Sequence, residues 1–285
     1  MLRNEPPFEA LRLFVLYLWA PAEGVIVGED ALLAFAAAVS AHTSLDALSL
    51  HTLTLSPAVW DALSAAALTC QLRRVAFRNC GLSPASIPAL ARLIRDGSLT
   101  SVRIYNNGDE QLLDAPAAEQ LGNAFAASRQ LLEVVLYDVD LWHDADAAVV
   151  LLRSLTGNSS LQILDLGGND PPDASIAAAT LGALILANSA ALHSLDVEDS
   201  ALGDPGIGPL MTALRHNTRL RELRCCNIGM SAEFAHARFL PAVRDNTSLR
   251  KLVASERWGD HEDVQAPPAV LEAEALVAAR AAADE

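Results

Sequence analysis

One apolar phrase recurs along this chain about every thirty residues, and a chain written that way folds by stacking copies of a single supersecondary unit. The clearest copy is LQILDLGGND, where Leu161, Leu164 and Leu166 lead to Asn169. Against the template L-x-x-L-x-L-x-x-N/C-x-L, copies begin at Leu45, Leu72, Leu99, Leu131, Leu161, Leu192, Leu220 and Leu249. The steps between them are 27, 27, 32, 30, 31, 28 and 29 residues. A weaker first copy is placed on Leu11, Phe14 and Leu16. A chain that is 52% hydrophobic contains chance apolar runs, but not runs holding one register through eight copies.

Each copy continues alike. The phrase itself alternates with period two, which is strand spacing. A turn follows, and then an Ala/Leu-rich stretch such as PAVWDALSAAAL (57–68), IPALARLIRDG (87–97) or GPLMTALRHNT (208–218). Apolar residues there recur at i, i+3, i+4 and i+7, one face of a helix. Each unit therefore reads as strand, turn, helix and return.

The segments LGDPGIGPLMTALRHNTRL and NTRLRELRCCNIGM resemble the long unit of the ribonuclease-inhibitor-like class of leucine-rich repeat proteins. The resemblance covers roughly residues 11–260. It implies an α/β solenoid, a horseshoe with parallel strands on the concave face and helices on the convex face. The ninth template position departs from the class. Only Cys80, Asn107 and Asn169 fit it, and Leu53, Val139, Ser200, Ile228 and Arg257 stand elsewhere. A side-chain ladder there is expected to be patchy, with backbone groups or water substituting.

The organisation expected is a degenerate first repeat and N-terminal cap over 1–44, repeats over 45–265, and a C-terminal capping helix over 266–285. The stretch LRLFVLYLWAPA (11–22) faintly imitates a signal peptide, but Glu5, Glu9 and Pro6-Pro7 do not suit a basic leader, so it is read as the first strand and cap. Pro267-Pro268 opens an Ala/Glu/Leu/Arg helix that would cover the last repeat. The segment 257–265 is read as a loop.

Charge and cysteines restrict the function. A net charge of −15 argues against nucleic acid and anionic membrane surfaces. The four cysteines, Cys70, Cys80, Cys225 and Cys226, show no zinc spacing and suit reduced structural thiols in a cytoplasmic compartment. No cofactor or metal is expected. The acids Asp165, Asp196, Glu198 and Asp199 make a poor cation cage, because strand carboxylates pointing outward do not enclose an ion. His51 has no Asp and Ser in triad roles, and Gly167-Gly168 is a repeat turn, not a phosphate loop.

The third, fifth and seventh template positions would line the concave face, with the eighth at its rim. Early and middle copies supply Arg74, Arg78, Arg103, Tyr105 and Tyr137. Later copies supply Asp138, Asp165, Asp196, Glu198, Asp199 and Glu222, then Arg224 and Lys251. The face is expected to be a dipole, a basic aromatic half followed by an acidic half. Arg and Tyr anchor interfaces, and opposed charge blocks orient a partner. The first expectation is thus a non-enzymatic module binding a protein partner through its concave face, the partner contributing acidic or apolar groups to one half and a basic patch to the other. The alternatives are a GTPase-activating protein of the Ran-directed type, which shares only the scaffold, and a structural subunit or pathogen effector with Trp60, Trp142 and Trp258 in an interface.

Overall fold

The computed structural model describes residues 27–42, 45–107, 111–189, 191–255 and 266–284, together with the backbone of 14–19. Nine strands form one parallel sheet in chain order: β1 Phe14–Trp19, β2 Leu45–His51, β3 Arg74–Arg78, β4 Ser101–Tyr105, β5 Glu133–Tyr137, β6 Ile163–Asp165, β7 Ser194–Asp196, β8 Glu222–Arg224 and β9 Lys251–Val253. Between them run α1 Glu29–Ser40, α2 Pro57–Thr69, α3 Ile87–Asp96, α4 Ala115–Ala127, α5 Ala145–Leu155, α6 Ala174–Leu186 and α7 Gly203–Leu214. After β8 the helix is broken into α8 Ala232–Phe234, a π turn Ala235–Phe239 and α9 Leu240–Asp245. Helix α10, Pro268–Ala283, closes the described chain.

A parallel sheet in strict chain order, with a helix between successive strands, is the leucine-rich repeat solenoid. Its interior is the repeat phrase. Leu45, Leu48 and Leu50 in one copy, and their equivalents in the seven that follow, are all buried between the sheet and the helices. The ladder keeps the template aligned strand to strand: Leu48 pairs with Val75, Val75 with Val102, Val102 with Val134 and Val134 with Leu164. Asp114 and Asp144 cap α4 and α5 by accepting from Ala117 N and Ala147 N at 2.8 and 3.0 Å.

The first copy is in a different register from the one the sequence suggested. Leu16 pairs with Leu48 and Leu18 with Leu50, so the phrase sits two residues later than Leu11, Phe14, Leu16. The alternation of FVLYLW hides a two-residue slip, because only an odd slip exchanges the faces. Leu11 itself lies outside the described residues, as do 257–265. Trp60 and Trp142 are 4% and 3% exposed, so they fill the solenoid's own interior and do not await an interface. Trp60 meets Phe77 edge-on at 4.8 Å. Trp258 is outside the described residues.

At the C-terminal end α10 lies over β9 and α9, burying Ala269, Val270, Ala273 and Val277. Glu274 reaches back to accept from the backbone N–H groups of Ala254 and Ser255 at 2.6 and 2.8 Å. These donors would otherwise face the end of the stack without a following copy.

The backbone after each strand turns in one way. The eighth template residue has positive φ in seven successive copies: Thr52, Asn79, Asn106, Asp138, Gly168, Asp199 and Asn227. From Thr52 to Asp199 its N–H donates to the seventh-position carbonyl of the next copy, as Asn79 does to Tyr105 O (2.9 Å) and Asp138 does to Gly167 O (2.9 Å). Left-handed backbone favours Gly, Asn and Asp. Asp138 and Asp199 thus have a local reason to be where they are.

Candidate functional site: the concave face of the sheet

Three rows of side chains cross the sheet on the side away from the helices. The ladder aligns Ala47, Arg74, Ser101, Glu133, Ile163, Ser194, Glu222 and Lys251 in one row. Ser49, Ala76, Arg103, Val135, Asp165, Asp196, Arg224 and Val253 make the second. His51, Arg78, Tyr105 and Tyr137 begin the third.

Over β2 to β4 the face is recessed. Small residues, Ala47, Ser49, Ala76 and Ser101, make the floor, and Arg74, Arg78, Arg103, His51 and Tyr105 stand around it, enclosing about 340 Å³. Arg74 is held by Asp46 at 2.8 Å, and Arg103 by Glu133 at 2.7 Å. Glu133 also accepts from Ser101 Oγ at 2.6 Å. Arg78 lies instead over the ring of Tyr105, 4.9 Å from its centroid. Burial pushes the Tyr105 phenol above its usual range.

Ser49 Oγ stands 2.8 Å from His51 Nε2, a neighbour the sequence reading did not supply. The distance alone does not make a nucleophile and base. Burial and then the charge of Arg78 pull the His51 pKa down, and a general base has to accept a proton against that same charge.

Over β6 to β8 the chemistry reverses. Arg224 donates to Glu198 at 2.6 Å and stands 2.8 Å from Asp196, with Asp165 on the next strand. One guanidinium faces three carboxylates. Burial pushes the Asp196 carboxyl up to about 7; the charges of Asp165 and Glu198 add to that, and Arg224 opposes it. Burial raises Asp165 as well. Burial also works against the charge of Arg224, but the hydrogen bond and charge of Glu198, joined by Asp196, outweigh it and hold the guanidinium above its usual range. The positive charge is thus fixed, and Asp196 and Asp165 are the carboxyls that burial inclines to hold a proton.

Between the blocks Tyr137 leans over Gly167 and donates to Asp199 Oδ2 at 3.0 Å. Asp138 accepts from Asn106 Nδ2 at 2.8 Å, and Lys251 pairs with Glu222 at 2.7 Å.

The face is therefore less starkly polarised than the dipole expected from sequence. Sequence reasoning missed Asp46 and Glu133, which neutralise two of the basic half's arginines. Glu133 was readable, since it occupies the third template position. Asp46 was not, because it occupies the second, outside the rows considered. Also missed was Cys226, in the seventh position beside Glu198 (3.3 Å). Burial and the Glu198 carboxylate push its thiol up to about 12, so it is not a ready thiolate. All four cysteines are free and buried. Among the described residues no group of three or more His, Cys, Asp or Glu is arranged to hold a metal ion, and no helix is long and apolar enough to cross a membrane.

The ninth-position ladder is patchy, as its residue types imply. Where Asn169 fills it, five hydrogen bonds result: Nδ2 to the carbonyls of Leu136, Leu166 and Gly167, and Oδ1 from the N–H groups of Val139 and Leu141. A second ladder went unread. Asn158, Asn217 and Asn246 stand three residues before Leu161, Leu220 and Leu249, and each accepts from that Leu N–H at 2.7 to 2.9 Å. Each also donates to a carbonyl of the preceding copy. The signal was present as N-x-x-L just ahead of three copies.

These features define a leucine-rich repeat solenoid with a full helix in most units and a charged concave face. The fold is that of leucine-rich repeat proteins, and the chain is similar to their ribonuclease-inhibitor-like class. It is 29% identical over 212 residues to the ribonuclease inhibitor of Sus scrofa, a match covering 64% of this chain and 45% of that protein. The chain thus spans less than half the length of that relative. No family model matches. Similar solved structures include human 5T4, named Wnt-activated inhibitory factor 1 or trophoblast glycoprotein (TM-score 0.49, 17% identity, 81% of this chain and 76% of that one). Another is the tropomodulin C-terminal domain of Caenorhabditis elegans (TM-score 0.40, 13% identity, 50% and 83%).

Proposed function

We propose that this chain is a non-enzymatic interaction module that binds a protein partner through its concave face. The observation that carries the reading is the separation of two chemistries on one continuous sheet face. A recess walled by Arg74, Arg78, Arg103 and Tyr105 lies over β2 to β4, and an excess of carboxylate, Asp165, Asp196 and Glu198 against Arg224, lies over β6 to β8. Clustering like charges on neighbouring strands costs repulsion, and the charges of Asp165 and Glu198 add to what burial already does to the Asp196 carboxyl. A surface selected only for solubility avoids that cost. The relative's name, ribonuclease inhibitor, describes a protein that acts on another protein, which supports the same reading.

The partner therefore presents basic groups to the β6–β8 patch. Tyr137, Asp138, Asp199 and Glu222 border the same face and belong to the proposed surface. The net charge of −15 disfavours nucleic acid and anionic membranes as partners, and four unpaired thiols suit a reducing, cytoplasmic location. The test is affinity capture from native lysate with the wild-type chain and with Asp196→Lys/Glu198→Lys, each checked for folding by circular dichroism. Loss of specifically captured proteins in the folded variant supports the reading. Identical capture by both proteins rejects it.

A further inference from the structure

The β2–β4 recess is a receptor of a particular kind. The outward side chains at its floor, Ala47, Ser49, Ala76 and Ser101, are no larger than Ser, so a depression lies among Arg74, Arg78, Arg103 and Tyr105, with Leu48 and Val75 also reaching its lining. Three guanidiniums line it, and only two carboxylates, those of Asp46 and Glu133, are spent on them. Among the described residues no carboxylate lies within ion-pairing distance of Arg78. The Arg78 Cζ lies over the Tyr105 ring, 4.9 Å from its centroid, and a guanidinium resting on a ring still has N–H groups with which to donate. A guanidinium stacked on Tyr105 beside a small-residue floor is complementary to a carboxylate, which it can grip bidentately. A volume of about 340 Å³ is enough for one acidic side chain and its adjoining backbone.

The acidic block lies a fixed distance away. The recess is centred on β3 and the Asp165–Asp196 pair straddles β6 and β7, about three and a half strand steps along the sheet. At ~4.8 Å per step this is roughly 17 Å, and an extended chain rising ~3.3 Å per residue covers it in about five residues. We infer that the concave face receives one extended partner segment, running across the strands, with an acidic side chain seated on Arg78 in the β2–β4 recess and a basic side chain about five residues away over Asp165 and Asp196. This rests on the reading of the concave face as a partner-binding surface and adds the chemistry and spacing of what binds.

The experiment uses N-acetylated, C-amidated Gly/Ser/Ala peptides carrying one Glu pair and one Arg pair, their centres two, five or ten residues apart, titrated calorimetrically into the full chain. The expected result is tightest binding at five residues. Arg78→Gln weakens it at least about tenfold. Ala76→Leu, which fills the floor and leaves every charge in place, weakens it comparably. Both positions lie on the solvent side of the sheet, and circular dichroism verifies that each variant is folded. Overturning results are no binding by any peptide up to millimolar concentration, binding indifferent to spacing, or equal binding by wild type and folded Arg78→Gln. If the peptides fail while protein capture still depends on Asp196 and Glu198, this inference falls and the interaction reading stands. If both fail, both fall.

Discussion

The Tyr137 hydroxyl donates to Asp199 Oδ2 at 3.0 Å, reaching from β5 past β6 to the turn after β7. Gly167 makes that reach possible: a Cβ there would lie 3.0 Å from both Cδ2 and Cε2 of Tyr137 and 3.0 Å from Glu198 O. The ring can yield, but the carbonyl belongs to the backbone of the next copy. Three successive repeats are thereby tied on the concave side by one phenol and one missing methyl.

Tyr137→Phe removes the hydrogen bond alone and is expected to cost about 0.5–1.5 kcal/mol. Gly167→Ala displaces the ring and crowds the Glu198 carbonyl, and is expected to cost about 1–3 kcal/mol. Urea denaturation of the two variants and the double variant checks this. Because Gly167→Ala already breaks the Tyr137 bond, the double variant should lose less than the sum of the two singles.

Asn169 is a buried amide with every one of its partners in the backbone of its own or the preceding copy. Asn169→Ala strands two N–H groups and several carbonyls, with each buried orphan costing on the order of 1–3 kcal/mol. A loss of about 3 kcal/mol or more is expected in chemical denaturation. Ser200→Ala, at the same template position one copy on, removes one 3.3 Å bond from Asn169 N and a weak donation to Glu198 O, and should cost no more than about 1 kcal/mol.

These residues also mark what a sequence of this kind discloses. The strand phrase is read directly because burial imposes it: a polar residue at Leu164 or Leu195 would be sealed between sheet and helix. The outward rows follow from the same alternation, so the strand placements of Arg74, Arg103, Asp165 and Arg224 were legible. Their partners were not, because ion pairing depends on rotamers reaching across strands, as Arg74 does to Asp46 and Arg103 to Glu133. Asp138 and Asp199 are expected contact residues, and the left-handed backbone at both gives their residue type a second, local reason that the strand alternation does not show. The two-residue slip of β1 was invisible for a different reason: a period-two pattern repeats itself after two residues.

Thr52 is the one β-branched residue in the run of left-handed eighth positions, with φ 56°. A branched Cβ crowds the backbone there more than Asn or Gly does. Its N–H donates to Arg78 O at 2.8 Å, and any non-proline residue keeps that bond. Thr52→Asn is therefore expected to stabilise the chain by about 0.5–1 kcal/mol, read as a higher denaturation midpoint. A midpoint unchanged or lowered would mean that the Thr side chain makes good the backbone cost by its own contacts.

Asp196 gives the fold a pH dependence of defined sign. Burial raises its folded-state pKa to about 7, against the usual carboxylate value near 4 in the unfolded chain. Between those values the folded protein binds the extra proton, so stability contributed by this residue falls as pH rises from about 4 to about 7 and is constant above. Arg224 and the Glu198 backbone N–H oppose the shift, while Asp165 and Glu198 enlarge it. Asp196→Asn holds the group neutral throughout. The difference in unfolding free energy, variant minus wild type, is therefore expected to increase from pH 5 to pH 7.5. Removing Arg224 as Arg224→Gln takes away an opposing charge and should move the wild-type transition to higher pH. A difference that is flat across the window, measured by urea unfolding at half-unit pH steps, would mean that the guanidinium keeps all three carboxylates ionised and that no proton is held on the concave face near neutrality.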